Sequence, residues 1–162
     1  MDSQFTSQSI SVKIKYDDRK AVDAGSLVCR VQTGNATVEL KAIANQPFPP
    51  FNDLTIFLES IVRGDLPCQT YWDEEDLQNE LFADPLESST IFRFRLYTAA
   101  SFHSDHDDHD EHEPDPTIEG VVARAQFVSA FADALLDFCQ NAPEAAKQWQ
   151  IDRERIALLK SQ

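Results

Sequence analysis

The sequence is poor in glycine, with four glycines against eleven phenylalanines, which points to a packed core rather than a loop-rich scaffold. Cysteine is scarce as well. Cys29, Cys68 and Cys139 are odd in number and far apart, which excludes a disulfide framework or a CxxC zinc ribbon and suggests a reducing compartment. No run approaches the ~20 apolar residues that span a bilayer. Met1-Asp2-Ser3-Gln4 shows neither the basic nor the apolar region of a secretory signal, so a cytoplasmic protein is expected. There is no GxSxG, HExxH, P-loop or GxGxxG motif. Every histidine lies between His103 and His112, so a Ser/His/Asp or Cys/His site would depend on one loop. No enzymatic activity is expected.

Basic residues are missing from two whole stretches. Tyr71 to Glu87 carries seven acids, and His103 to Glu119 carries eight, with no Lys or Arg in either. The chain as a whole has 28 acids and 14 bases, a net charge of −14. Removing those fifteen acids leaves thirteen against fourteen bases, so two segments carry the entire excess. Such a field repels nucleic acid and anionic membrane and favours a basic protein partner.

With 162 residues the chain fits one domain. Residues 1–8 read as a frayed terminus. Ser9 to Tyr16 alternates, with Ile10, Val12, Ile14 and Tyr16 on one side and Ser11, Lys13 and Lys15 on the other, the period of a half-buried strand. Ser26 to Gln32 and Thr37 to Ile43 flank Thr33-Gly34-Asn35 as a hairpin, with Val38, Leu40 and Ala42 inward. A helix follows, with Asn52 as N-cap, a Phe51–Ile56 staple, an apolar stripe of Leu54, Phe57, Leu58 and Ile61, and Gly64 as its stop. Strands are expected at Leu66 to Trp72, near Leu77 to Phe82, at Thr90 to Thr98 and at Thr117 to Ala123. Arg124 to Gln140 reads as an amphipathic helix, and residues 144–160 as a further helix around Trp149, Ile156 and Leu159. Without regular βα alternation, this order predicts an α+β fold: one antiparallel sheet of about 5–7 strands with two or three helices packed on one face. Lys13, Lys15, Lys41, Arg93 and Arg95 would cover the other face.

Three constellations could carry function. The first is Tyr71-Trp72 followed by Asp73, Glu74, Glu75 and Asp76, an aromatic pair beside an acidic run. Interfaces favour Tyr and Trp, and one of two adjacent strand residues must face outward, so either ring could anchor a partner. The second is His103, His106, His109 and His112, spaced by three and interleaved with aspartates. Imidazole and carboxylate suit Zn²⁺ or Ni²⁺, but a single flexible insertion (residues 103–116) supplies every ligand, so only weak binding is expected. The same histidines would make the loop's charge sensitive to pH. The third is the C-terminal helix with Trp149, which would suit a homodimer seam and a purely structural subunit.

The early hairpin, the helix ending in Arg63-Gly64-Asp65-Leu66-Pro67, the strand running into Trp72-Asp73-Glu74-Glu75 and the strand Ile91-Phe92-Arg93-Phe94-Arg95-Leu96 together resemble small acidic α+β immunity proteins of bacterial toxin systems. Uncharacterised bacterial domains of like build share this layout. The resemblance covers about residues 26–98, and the His/Asp insertion departs from it. It implies a non-enzymatic immunity or inhibitor role: binding and blocking a basic toxin. It carries over no individual functional residue.

Overall fold

The computed structural model describes residues 6–17, 26–43, 50–74, 77–98 and 114–162. The fold is α+β, as the order of elements predicts, but its strands form two antiparallel sheets rather than one. The first contains β1 (Ile10–Asp17), β2 (Ser26–Thr33) and β3 (Ala36–Ile43) in that order. The second contains β4 (Cys68–Glu74), β5 (Leu77–Pro85), β6 (Ile91–Tyr97) and β7 (Ile118–Ala123), again in chain order. Helix α1 (Pro50–Arg63) joins the sheets, and α2 (Arg124–Asn141), α3 (Pro143–Gln148) and α4 (Arg153–Lys160) close the chain.

Strict alternation gives each sheet one apolar face. Leu27, Cys29, Val31, Val38, Leu40 and Ala42 of the first sheet are buried, as are Leu81, Phe92, Phe94, Leu96 and Val122 of the second. The helices cover these inner faces: α1 packs on β4, α2 on β1 and β7, and α4 on α1 and α2. Phe127 of α2 is the hub, with ring centroids 4.9 to 6.3 Å from Phe57, Phe92, Phe94 and Phe131. Burying such a side chain stabilises the fold by roughly 1.5–3 kcal/mol.

Helix α1 starts at Pro50, two residues before the expected cap. Asn52 therefore lies inside it, Phe51 is buried, and Ile56 stays exposed instead of stapling to Phe51. Its end is as expected. Gly64, at φ 77°, is the left-handed residue of a Schellman motif, in which the Asp65 amide donates to the Ser60 carbonyl and the Gly64 amide to that of Ile61. The C-terminal stretch is not one helix. Gln150 at φ 56° closes α3 in the same way, its amide donating to Lys147 and that of Ile151 to Ala146. Asp152 then caps α4 by accepting from the Arg155 amide.

Two contacts tie the sheets together. The indole N–H of Trp72 on β4 donates to the Lys41 carbonyl on β3 at 2.8 Å. Gln8, in the stretch expected to fray, bridges in parallel to Val122, its amide 2.8 Å from the Val121 carbonyl. No helix among the described residues is long and apolar enough to cross a membrane.

Candidate functional site

The outer face of the β4–β7 sheet gathers aromatic, acidic and arginine side chains, with Tyr71 exposed and Tyr97 nearly covered by its neighbours. Alternation turns Gln69, Tyr71 and Asp73 outward on β4, Glu80, Phe82 and Asp84 on β5, Arg93, Arg95 and Tyr97 on β6, and Glu119 on β7. Cross-strand register then sets the neighbours. Tyr71 stands opposite Glu80, which stands opposite Tyr97, and Phe82 stands between Gln69 and Arg95.

Arg95 is the best-held side chain of this face. Its Nε donates to Asp84 Oδ2 at 2.7 Å and its Nη1 to the Tyr97 hydroxyl at 2.9 Å. Its guanidinium carbon lies 5.0 Å from the Phe82 ring centre and 5.8 Å from that of Tyr97. The hydrogen bond that Arg95 donates to Asp84 holds its guanidinium further into the charged form; partial burial opposes this and the Tyr97 hydroxyl adds to it. Phe82 and Tyr97 meet edge to face at 5.6 Å. At the edge of the cluster, Gln69 Nε2 donates to the Tyr71 hydroxyl at 3.0 Å.

A concavity of about 360 Å³ opens beside Arg95, lined by Asp84, Arg93, Tyr97, Asp115 and Glu119. Asp84 belongs to the first acidic stretch, while Asp115 and Glu119 belong to the second. The two stretches thus meet on one surface through Asp84, Asp115 and Glu119. Among the described side chains, Asp73, Glu80, Asp84, Asp115 and Glu119 against Arg93 and Arg95 leave this face at five minus two, three negative charges. Asp84 spends its charge on Arg95, and Glu119 approaches Arg93 at 3.8 Å. The outermost acids, Asp73 and Asp115, have no such arginine contact among the described residues.

The predicted anchor pair separates cleanly. Tyr71 is 40% exposed, whereas Trp72 is 1% exposed and committed to the core, so Trp72 is corrected from candidate anchor to structural residue. Asp73 is exposed next to Tyr71, and Glu74 ends β4. Glu75, Asp76 and the four histidines, His103, His106, His109 and His112, lie outside the described residues. Among the described residues no group of three or more His, Cys, Asp or Glu side chains is placed to hold a metal.

Comparison with known protein families, curated proteins and solved structures finds no match.

The arginines also change place. Arg93 and Arg95 lie on a different sheet from Lys13, Lys15 and Lys41, and they sit among carboxylates rather than extending a basic face. The homodimer seam expected at Trp149 is not exposed: Trp149, Ile156 and Leu159 are buried in the chain's own core. The thiols are not activated nucleophiles. Burial pushes Cys29 up to about 12 and Cys68 up to about 11, and it also raises Cys139. Sequence reading missed Phe82, Asp84 and Tyr97. The alternation Gln78, Glu80, Phe82, Asp84 was the available signal for an outward row on β5.

Proposed function

We propose that the protein is a non-catalytic binding module that captures a basic protein on the outer face of the β4–β7 sheet, in the manner of an immunity or inhibitor protein acting in the cytoplasm. One observation carries this reading: both acidic stretches contribute to a single exposed face that also presents Tyr71. The outer carboxylates would steer a cationic partner toward the face and raise its association rate. Tyr71, an amphipathic ring at low entropic cost, would then be desolvated against the partner and slow dissociation. The Arg95 cluster keeps the surrounding sheet face rigid, so little ordering is needed on binding.

The test uses the wild-type protein and a variant neutralised at Asp73, Glu74, Glu75 and Asp76 as baits for a lysate of the producing cell. Captured proteins are identified by mass spectrometry, and the purified partner is then measured kinetically. A basic partner whose association slows and loses salt dependence with the neutralised variant, and whose dissociation quickens with Tyr71→Ala, supports the reading. A partner that associates with the neutralised variant at an unchanged rate overturns it.

A further inference from the structure

The outer face of the β1–β3 sheet has the opposite character. Its outward positions are Ser11, Lys13 and Lys15 on β1, Val28, Arg30 and Gln32 on β2, and Thr37, Glu39 and Lys41 on β3. Lys13, Arg30 and Glu39 form one cross-strand row, and Lys15, Val28 and Lys41 the next. Among the described side chains of this face, four cations stand against one carboxylate, a balance of plus three on a chain whose net charge is −14. Glu39 is already engaged: Arg30 donates to its Oε1 from Nε at 3.2 Å and from Nη2 at 2.7 Å. That hydrogen bond lowers the Glu39 carboxyl below its usual range, and the nearby charges of Lys41 and Lys15 push it the same way. Lys13 and Lys15 form no salt bridge with any described carboxylate. Among the described residues no helix covers this face, since α2 packs on the apolar side of β1.

We propose that the outer face of the β1–β3 sheet is a second docking surface, which binds an extended acidic peptide segment of a partner protein. The surface is separate from the one proposed for the basic partner, so each can fail without the other. Charge complementarity selects an anion, and spacing selects its form. Alternate residues of one strand lie about 7 Å apart, so Lys13 and Lys15 match acids at alternate positions of an extended peptide laid along β1. Lys41 and Arg30 extend the contact sideways across neighbouring strands, about 5 Å apart. A nucleic acid fits less well. The described positions of the face present no aromatic ring on which a base could stack, and a long polyanion would run past the patch into the acidic remainder of the molecule. A short acidic segment can sit within the patch.

The experiment uses the full chain and a fluorescein-labelled peptide of about six residues with alternating Glu and Ser, followed by anisotropy at about 20 mM NaCl, where screening is slight. Oligothymidylate of the same length is the comparison probe. The expected result is saturable peptide binding that weakens about tenfold in Lys13→Gln/Lys15→Gln and falls with added salt. The charge-matched variant Arg63→Gln/Lys147→Gln, altered elsewhere on the surface, should bind the peptide as the wild type does. The proposal is overturned by absence of saturable peptide binding, by equal losses in the two double variants, or by tighter binding of the oligonucleotide through Lys13 and Lys15. All four lysine and arginine positions are exposed, so the variants should fold, and circular dichroism confirms this before titration.

Discussion

Trp72 hydrogen-bonds to the backbone of Lys41, and through that bond one core residue of the acidic sheet is fastened to the basic one. The same indole packs edge to face on Phe51 of α1 at 5.5 Å, and the Trp72 carbonyl accepts from Asn79 Nδ2 at 3.1 Å. With Trp72 fixed inward, period-two alternation forces Tyr71 and Asp73 outward, so the candidate site depends on a bond it does not contain. Trp72→Phe keeps a ring but removes the N–H, and should cost about 1–3 kcal/mol because the Lys41 carbonyl loses its donor. Trp72→Ala should cost about 3–5 kcal/mol. Tyr71→Ala should stay within about 0.5 kcal/mol of wild type. Urea denaturation followed by circular dichroism ranks the three, and a Trp72→Phe midpoint equal to wild type would show that the hydrogen bond contributes nothing.

A second clamp joins α4 to α1. Arg155 donates to both oxygens of Glu59, at 2.5 and 2.7 Å, while its own amide is held by Asp152. The hydrogen bond from Arg155 is the main reason that the Glu59 carboxyl lies below its usual value, with partial desolvation working against it. A carboxyl depressed in the folded state contributes stability that is present above the ordinary carboxylate pKa and lost as pH falls through the folded value. Arg155→Gln should therefore destabilise by about 1 kcal/mol at neutral pH, a figure kept small because both side chains are partly exposed. The difference from wild type should shrink well below pH 4. Denaturation midpoints measured at neutral and acid pH decide it; a gap that widens on acidification would refute the assignment.

How far the sequence announces this fold depends on how local each signal is. The strands and their faces are legible because alternation is local, and the end of α1 is legible because Gly64 suits a left-handed position. The break between α3 and α4 is hidden, since Gln150 takes that same conformation without a glycine to mark it. The division into two sheets is hidden too, because it depends on where α1 delivers β4. For that reason alternation alone puts Arg93 and Arg95 on one face with lysines that lie on the other sheet. At the candidate site, alternation says that one of Tyr71 and Trp72 faces outward, but not which. The deciding acceptor, the Lys41 carbonyl, lies 31 residues away in sequence. The Phe82–Arg95–Tyr97 cluster requires the β5–β6 register, which no local pattern encodes.

Two glycines should respond differently to a methyl group. At Gly64 an added Cβ would lie 2.9 Å from Arg124 Nη1 on a backbone at φ 77°, so Gly64→Ala must strain the chain and should cost about 1–2 kcal/mol. At Gly120 the Cβ would lie 2.4 Å from Gln8 Oε1, the far end of a flexible side chain. Gly120→Ala should therefore expel Gln8, which also accepts a hydrogen bond from Thr33, at a cost of about 1 kcal/mol. Gln8→Ala should cost about the same, and the double variant little more than either alone. Additive losses in thermal melts would show that Gly120 matters for another reason.

The C-terminal helices distinguish a core element from a self-association seam. Trp149 and Ile156 are buried at 1% and 0% exposure, and Trp149 packs on Phe51 at 5.7 Å, while Leu158 is 62% exposed. A structural role inside one chain predicts that Trp149→Ala costs about 3–5 kcal/mol and Ile156→Ala about 2–5 kcal/mol, because each leaves a cavity that its neighbours cannot fill. Leu158→Ser should leave stability within about 0.5 kcal/mol. A seam between copies predicts the reverse order for association: Leu158, the apolar side chain left outside, would be the residue whose loss lowers the sedimenting mass. Sedimentation velocity of Leu158→Ser beside wild type, together with melts of the two core variants, separates these cases. Unchanged sedimentation with collapsed core stability is the expected pattern, and it would place α3 and α4 among the supports of Phe51, and so of Trp72 and the β4 face.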